Sequence, residues 1–224
     1  MIDLLVIAPH PDDAELGMGG RLARAKAQGH STGVVDLTRG EAATTGTAEV
    51  RAQEAERAAQ VLGLDVRRNL GWPDSRVMDS VDRRLQLAHL FRELRPAVVI
   101  GPHGTDRHPD HIAAAHIVPA ALHLAGLRNT PLSGEPFKPR ALFYYMGNEP
   151  FDATLIVDVS GHMDTWEAAV RCYGSRFGPA GPADDAEPEV IRRRRGRATY
   201  WGSFIGVTYG EPLLARRPVS YFPL

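Results

Sequence analysis

Cysteine is almost absent from this chain of 224 residues. Cys172 stands alone, so no intrachain disulfide and no multi-cysteine metal site can form. The expected setting is a reducing, cytoplasmic one. Lysine is scarce as well. Lys26 and Lys138 are the only two, and arginine carries the remaining positive charge, which we read as coding bias. Charge of one sign is not in excess either. The formal net charge is −1, so bulk electrostatics predict no nucleic acid partner and no membrane partner. No apolar run reaches the ~20 residues needed to cross a bilayer. Met1–Ile7 lacks the basic start and cleavage site of a signal peptide. No internal repeat and no firm domain boundary are visible. With 43% hydrophobic and 24% charged residues, the composition suits a globular protein, and we expect one domain over residues 1–224.

The front half alternates two hydrophobic periods. Ile2–Ile7 reads as a buried apolar strand, and Thr32–Leu37, Val66–Leu70 and Ala97–Gly101 as further strands. Between and after them, Glu15–Gln28, Glu49–Leu62, Val81–Leu94 and Ile112–Leu124 read as helices, two of them closed by Gly29 and Gly63. Alternation of this kind predicts an α/β fold: a single Rossmann-like, open, mostly parallel sheet with helices on both faces. The later chain is less regular. Asn129–Arg140 reads as a loop, Ala141–Met146 and Thr154–Val159 as strands, Met163–Ser175 and Glu189–Trp201 as helices. Gly178–Pro188 suggests a lid and Pro212–Leu224 a wandering terminus. In open α/β sheets ligands bind beyond the C-terminal strand ends, so the residues just after Ile7 and just after Gly101 are placed for chemistry.

Those two places hold Ala8-Pro9-His10-Pro11-Asp12-Asp13 and Asp106-Arg107-His108-Pro109-Asp110-His111. One His-Pro-Asp is usually a turn with a capping aspartate. Two copies, each after a strand and each with a further His or Asp, can converge on one ion. A catalytic zinc takes three N or O ligands and keeps a fourth position for water. His10, Asp13 and His111 can supply two imidazoles and a carboxylate, and Asp12 stays free to act as a base. The set favours Zn2+, and Fe2+ also accepts it.

The two motifs resemble the signatures of the LmbE-like (PIG-L) N-acetylglucosaminyl deacetylases. The N-terminal signature stands here as His10-Pro11-Asp12-Asp13-Ala14-Glu15-Leu16-Gly17-Met18-Gly19-Gly20, with Pro9 between Ala8 and the histidine, and the second as His108–His111. The resemblance covers nearly the whole chain. Asp36–Glu41, Asn69–Asp74 and Phe204–Val207 are similar to the branch that deacetylates N-acetylglucosaminyl-malate in bacillithiol biosynthesis. The resemblance implies zinc on His10, Asp13 and His111, with Asp12 as general base. It implies that His108 supports the oxyanion or protonates the amine, and that Asp110 orients a histidine. It also implies that Glu41, Arg51 and Asp74 contact substrate. The expected partner is a small GlcNAc conjugate, and a homo-oligomer is expected.

Other residues carry weaker claims. Arg107 suits either an anionic substrate or a structural ion pair. The run Arg192–Arg195 with Arg197 reads first as a solvated face or subunit contact. The glycines at 17, 19 and 20 lie inside a helix and so read as close-packing positions. Cys172 reads as core, and Tyr200 and Tyr209 as residues that could reach the site from the tail. Three rival readings stay open: a deacetylase or amidase for another amino-sugar conjugate, a non-catalytic metal-containing binding protein, and a dinucleotide oxidoreductase. The intact Asp12 argues against the second. Against the third stands His-Pro-Asp-Asp, which occupies the place of the required glycine turn.

Overall fold

A computed structural model of the chain describes residues 1–178 and 187–218. Within them the strands are β1 (Leu4–Ala8), β2 (Thr32–Thr38), β3 (Val66–Trp72), β4 (Val98–Pro102), β5 (Ala141–Tyr145), β6 (Leu155–Asp158) and β7 (Gly210–Ala215). The helices are α1 (Asp13–Ala27), α2 (Ala48–Leu62), α3 (Val81–Leu94), α4 (Pro109–Ala125), α5 (Met163–Arg171), the short α6 (Gly174–Phe177) and α7 (Glu189–Ser203). No described helix is long and apolar enough to cross a membrane.

One sheet runs in the order β3-β2-β1-β4-β5-β7-β6. β1 and β2 are buried at every residue, which is why they read as unbroken apolar runs. Alternation within β1 divides the core. Leu5 and Ile7 join α3 and α4 on one face, while Leu4, Val6 and Ala8 join α1, α2 and α5 on the other. The chain builds β1, β2 and β3 outward in one direction, then returns to lay β4 against the opposite side of β1. The gap between β1 and β4 is therefore the switch point of the sheet, and both motifs open onto it.

Two readings of the sequence need correction. Of the expected wandering terminus Pro212–Leu224, residues 212–215 instead belong to β7, which runs antiparallel to both β5 and β6, and residues 219–224 lie outside the described residues. Pro212 hides the strand from a pattern reading. It is tolerated because pairing with β5 stops at Leu213, so its missing N–H falls beyond that ladder. The expected helix over Met163–Ser175 ends at Arg171 and is followed by the separate turn α6. Of the expected lid, residues 179–186 lie outside the described residues.

The glycines of α1 do serve close packing. A β-carbon on Gly17 would stand 2.6 Å from the Tyr145 ring and one on Gly19 2.8 Å from Trp166. Further along α1, the buried Glu211 of β7 accepts hydrogen bonds from the N–H groups of Gly20 (2.8 Å) and Arg21 (2.7 Å). Burial pushes its carboxyl from 4.5 up to about 7, despite those donors. The folded chain thus holds the proton more tightly than the unfolded chain. Its contribution is complete below pH ~4.5 and lost as pH rises through 7, a change on the order of 3 kcal/mol. Glu211→Gln stays neutral, so relative to wild type it should be more stable at pH 8 than at pH 5.5. Urea midpoints at the two pH values test this, and an equal offset at both would count against it.

Candidate metal centre and active site

Local backbone geometry sets the first motif. Asp12 precedes α1 in the left-handed region, at φ 110°, a conformation costing about 1–3 kcal/mol for a non-glycine residue. An aspartate here would normally cap its own helix, yet the Asp12 side chain makes no cap bond. It turns instead to Arg51, whose Nη2 lies 3.1 Å from Asp12 Oδ2 and also donates to the Pro11 carbonyl. In the second motif His108 caps α4, its Nδ1 accepting from the N–H of Asp110 at 3.2 Å. Pro109 occupies the first helical turn, where its missing N–H costs nothing.

The two loops converge on Asp13. Its Oδ2 lies 3.1 Å from His10 Nδ1 and 3.1 Å from His111 Nε2. Bonds of ~2.0–2.1 Å in a tetrahedron separate ligand atoms by ~3.3 Å, and both contacts of Asp13 are close to that spacing. Ring nitrogens of His10, His108 and His111 also lie within 4.8 Å of one another. His108, however, accepts through Nδ1, so its proton sits on Nε2 and that atom is a donor. The other ring nitrogens of His10 and His111 each meet carboxylates. His10 Nε2 is 3.1 Å from Asp110 Oδ2 and 3.1 Å from Asp74 Oδ1. His111 Nδ1 is 3.2 Å from Asp106 Oδ2. Carboxylates in this position fix ring orientation and raise ligand basicity.

The electrostatics agree. Burial opposes charge on His10, but Asp110, Asp13 and Asp74 overcome it and raise the imidazole to about 12. Asp13 and Asp106 likewise outweigh burial and raise His111 to about 9. A field that holds a proton so firmly holds a divalent cation too, and the two compete. Burial, then Asp13, push Asp12 up to about 7 against the pull of Arg51 and Arg176. Burial and the neighbouring His10 and His111 lower His108.

A cavity of about 250 Å³ opens over these groups. It is lined by His10, Asp12, Asp13, His108 and His111, with Asp74, Arg51, Arg107, Arg176 and Arg194 on its walls. The structure thus brings together the expected ligands, Asp12, His108 and Asp74, and places Asp110 directly behind His10. It treats three expected substrate contacts differently. Glu41 does not line the cavity; its Oε1 accepts from the N–H of Asp74 at 2.9 Å. Arg51 lines it but is 2% exposed, with its guanidinium committed to the Asp12 loop. Arg107 is exposed at the cavity wall. Tyr200 packs edge-to-face with Trp201 and Phe204 at the surface and is not part of the cavity lining. Cys172 is only half-buried, beside the fully buried Tyr173.

Some residues that touch the site carry no signal in the sequence. Asp106 stands within the second motif, but local pattern gives it no role. Arg176 lies 3.4 Å from Asp12 Oδ2 on α6, which pattern reading merges into its neighbour. Asp36, part of the branch motif, pairs through both oxygens with Arg67, which also binds Glu15. That network lies buried beside the site and has a structural task.

The family model for PIG-L, GlcNAc-PI de-N-acetylase, matches residues 5–122. The chain belongs to the PIG-L family. Diacetylchitobiose deacetylase of Thermococcus kodakarensis is 30% identical, over 93% of this chain and 80% of that one. A 1D-myo-inositol 2-acetamido-2-deoxy-alpha-D-glucopyranoside deacetylase of Catenulispora acidiphila is 32% identical over 55% of this chain and 52% of its own length. The crystal structure of the conserved protein TT1542 from Thermus thermophilus superimposes with a TM-score of 0.92 and 52% identity, covering 100% of this chain and 98% of that one. Within this family the chain is an enzyme of the N-deacetylase class.

A His10→Ala/His111→Ala variant should lose stoichiometric metal. Elemental analysis of protein purified without added metal checks this, and full metal content in the variant would refute the ligand assignment.

Proposed function

We propose that this enzyme hydrolyses the N-acetyl group of a GlcNAc conjugate with a divalent ion, Zn2+ before Fe2+, held by His10, Asp13 and His111. The observation that carries the reading is the meeting of those three side chains in a cavity where Asp12 stays off the ligand set. A structural metal site has no use for such a carboxylate. A bound divalent ion supplies Lewis acidity to the attacking water and to the amide carbonyl.

The protein's own groups do the rest. Asp12, at the cavity surface and with an affinity for protons near neutrality, is matched to take a proton from water. Arg51 holds that carboxylate in place through Nη2. His108, neutral with its proton on Nε2, is placed to donate a hydrogen bond to the developing oxyanion, and the proton that Asp12 takes from water is the one returned to the departing nitrogen. Asp110 accepts from the N–H groups of Ser75 (2.8 Å) and Val77 (3.0 Å) while facing His10, which keeps it ionised and aimed.

The substrate is proposed as N-acetylglucosaminyl-malate. The support is the resemblance of Asp36–Glu41 and Asn69–Asp74 to that branch, together with the guanidiniums of Arg107 and Arg176 on the cavity wall. Guanidiniums pair bidentately with carboxylates. Relatives named for diacetylchitobiose and for an inositol glycoside favour a second reading, in which another GlcNAc conjugate is the substrate.

Asp12→Asn should lower kcat by ~10²–10⁴-fold while metal content persists; near-normal turnover would assign the base elsewhere. N-acetylglucosaminyl-malate should exceed free N-acetylglucosamine in kcat/KM by roughly 10–150-fold, the range of one charged hydrogen bond at about 1.5–3 kcal/mol. Arg107→Ala should narrow that ratio. Amine release from the two substrates measures it, and equal efficiencies would remove the malate conjugate while leaving the deacetylase reading in place.

A further inference from the structure

The arginine run of α7 divides in the folded chain. Arg193 pairs with Glu189, and Arg195 with Glu187 and Glu167. Arg194 and Arg197 point inward, and each binds main-chain carbonyls. Arg197 Nη1 donates to Gly147 O at 3.1 Å and its Nη2 to Asn148 O at 3.0 Å. Arg194 Nη1 donates to the same Gly147 O at 2.9 Å. Two guanidiniums on one carbonyl repel, and Arg194 falls to about 10 through burial and then the charge of Arg197. A carbonyl gripped twice at that cost is one whose position matters.

Its position matters because of Asn148. The N–H of Asn148 donates to Asp106 Oδ2 at 2.8 Å, and its Nδ2 donates to Asp106 Oδ1 at 2.8 Å. The N–H of His108 completes the hold on Oδ1 at 2.8 Å. Asp106 in turn faces His111 Nδ1 at 3.2 Å. The fit leaves no slack, since a β-carbon on Gly147 would stand 2.3 Å from Asp106 Oδ2 and 3.0 Å from His111 Nδ1. The Gly147–Asn148 segment lies beyond the end of β5 and belongs to no helix or strand, so its place against Asp106 has to come from outside.

We propose that α7 is a positioning element for the metal centre: Arg197, with Arg194, clamps the Gly147–Asn148 segment onto Asp106, and Asp106 then fixes the imidazole of His111 for the ion. The inference rests on the assignment of His111 as a ligand. It goes beyond the deacetylase reading because it gives the C-terminal helix a role in metal affinity, at a distance from the reacting atoms.

Zinc affinity decides the matter, read by competition with a chromophoric chelator on the whole chain, with thermal unfolding of the metal-free protein in parallel. Loss of a carboxylate behind a ligand histidine typically weakens metal binding ~10–100-fold, and Asp106→Ala sets that reference. Arg197→Ala should weaken zinc by about tenfold, Arg197→Lys should restore part of the loss, and Arg193→Ala on the outer face of the same helix should bind as wild type. The double variant Arg197→Ala/Asp106→Ala should bind no more weakly than Asp106→Ala alone, because both act through one contact chain. Unchanged zinc affinity in Arg197→Ala and Arg197→Lys, or full additivity in the double variant, overturns the proposal even if unfolding temperatures drop. Should Arg197→Ala fail to fold, Arg197→Lys and Asn148→Ala carry the same comparison. Absence of zinc binding in wild type would instead refute the ligand assignment itself.

Discussion

Everything in the catalytic cavity depends on pairs of carboxylate and imidazole. His10 lies in the loop before α1 and His111 in the first turn of α4, and their ring orientations are not set by the backbone alone. Asp110 and Asp106 occupy the ring nitrogens that do not face Asp13. Each of those carboxylates is itself held by backbone N–H donors: Asp110 by Ser75 and Val77, Asp106 by His108 and Asn148. Hydrogen bonds to an ionised acceptor are roughly twice as strong as neutral ones. Charge is therefore anchored in main chain, and main chain is anchored in the sheet. In the proposed metal centre these pairs hold the imidazoles of His10 and His111 in place before an ion binds.

The same principle governs the base. Asp12 is a strained residue between Pro11 and Asp13, and burial raises its proton affinity towards neutrality. Arg51 limits that rise and fixes the rotamer. A buried ion pair gives weak net stability, because desolvation offsets the attraction, but losing one partner leaves an uncompensated charge. Arg51 is thus better understood as a support for the base than as a contact for substrate. The strain and the buried charges are concentrated where the sheet reverses direction. The packed faces of α1, α3 and α4 against β1 and β4 hold that region rigid.

Much of the fold was legible in the sequence. β1, β2 and β4 appear as largely apolar runs and the helices between them show a longer period, whereas β3 lies half exposed at the sheet edge with Arg67, Arg68 and Asn69 and is marked only by its place between two helices. The later strands were harder. β7 contains Pro212 and begins at a glycine, features that mark a turn in most contexts, and its partners lie far away in the chain. The site was legible where chemistry and sequence neighbourhood coincide, as at His10–Asp13 and His108–His111. It was illegible where a partner is distant. Nothing local links Asn148 to Asp106, Glu41 to the backbone of Asp74, or Arg197 to Gly147.

The sequence by itself determined which residue types stand at the ends of β1 and β4, and that both ends are stiffened by proline. It also determined that the elements alternate in a way that forms a parallel sheet. Tertiary structure alone decided which of the surrounding charges serve the ion, which serve the base and which only neutralise one another. The physical reason is range. Helix and strand periods are set by neighbours within a few residues. A hydrogen bond such as that from Arg197 to Asn148, by contrast, depends on the crossover of the sheet, the register of β5 with β7 and the packing of a helix from the far end of the chain.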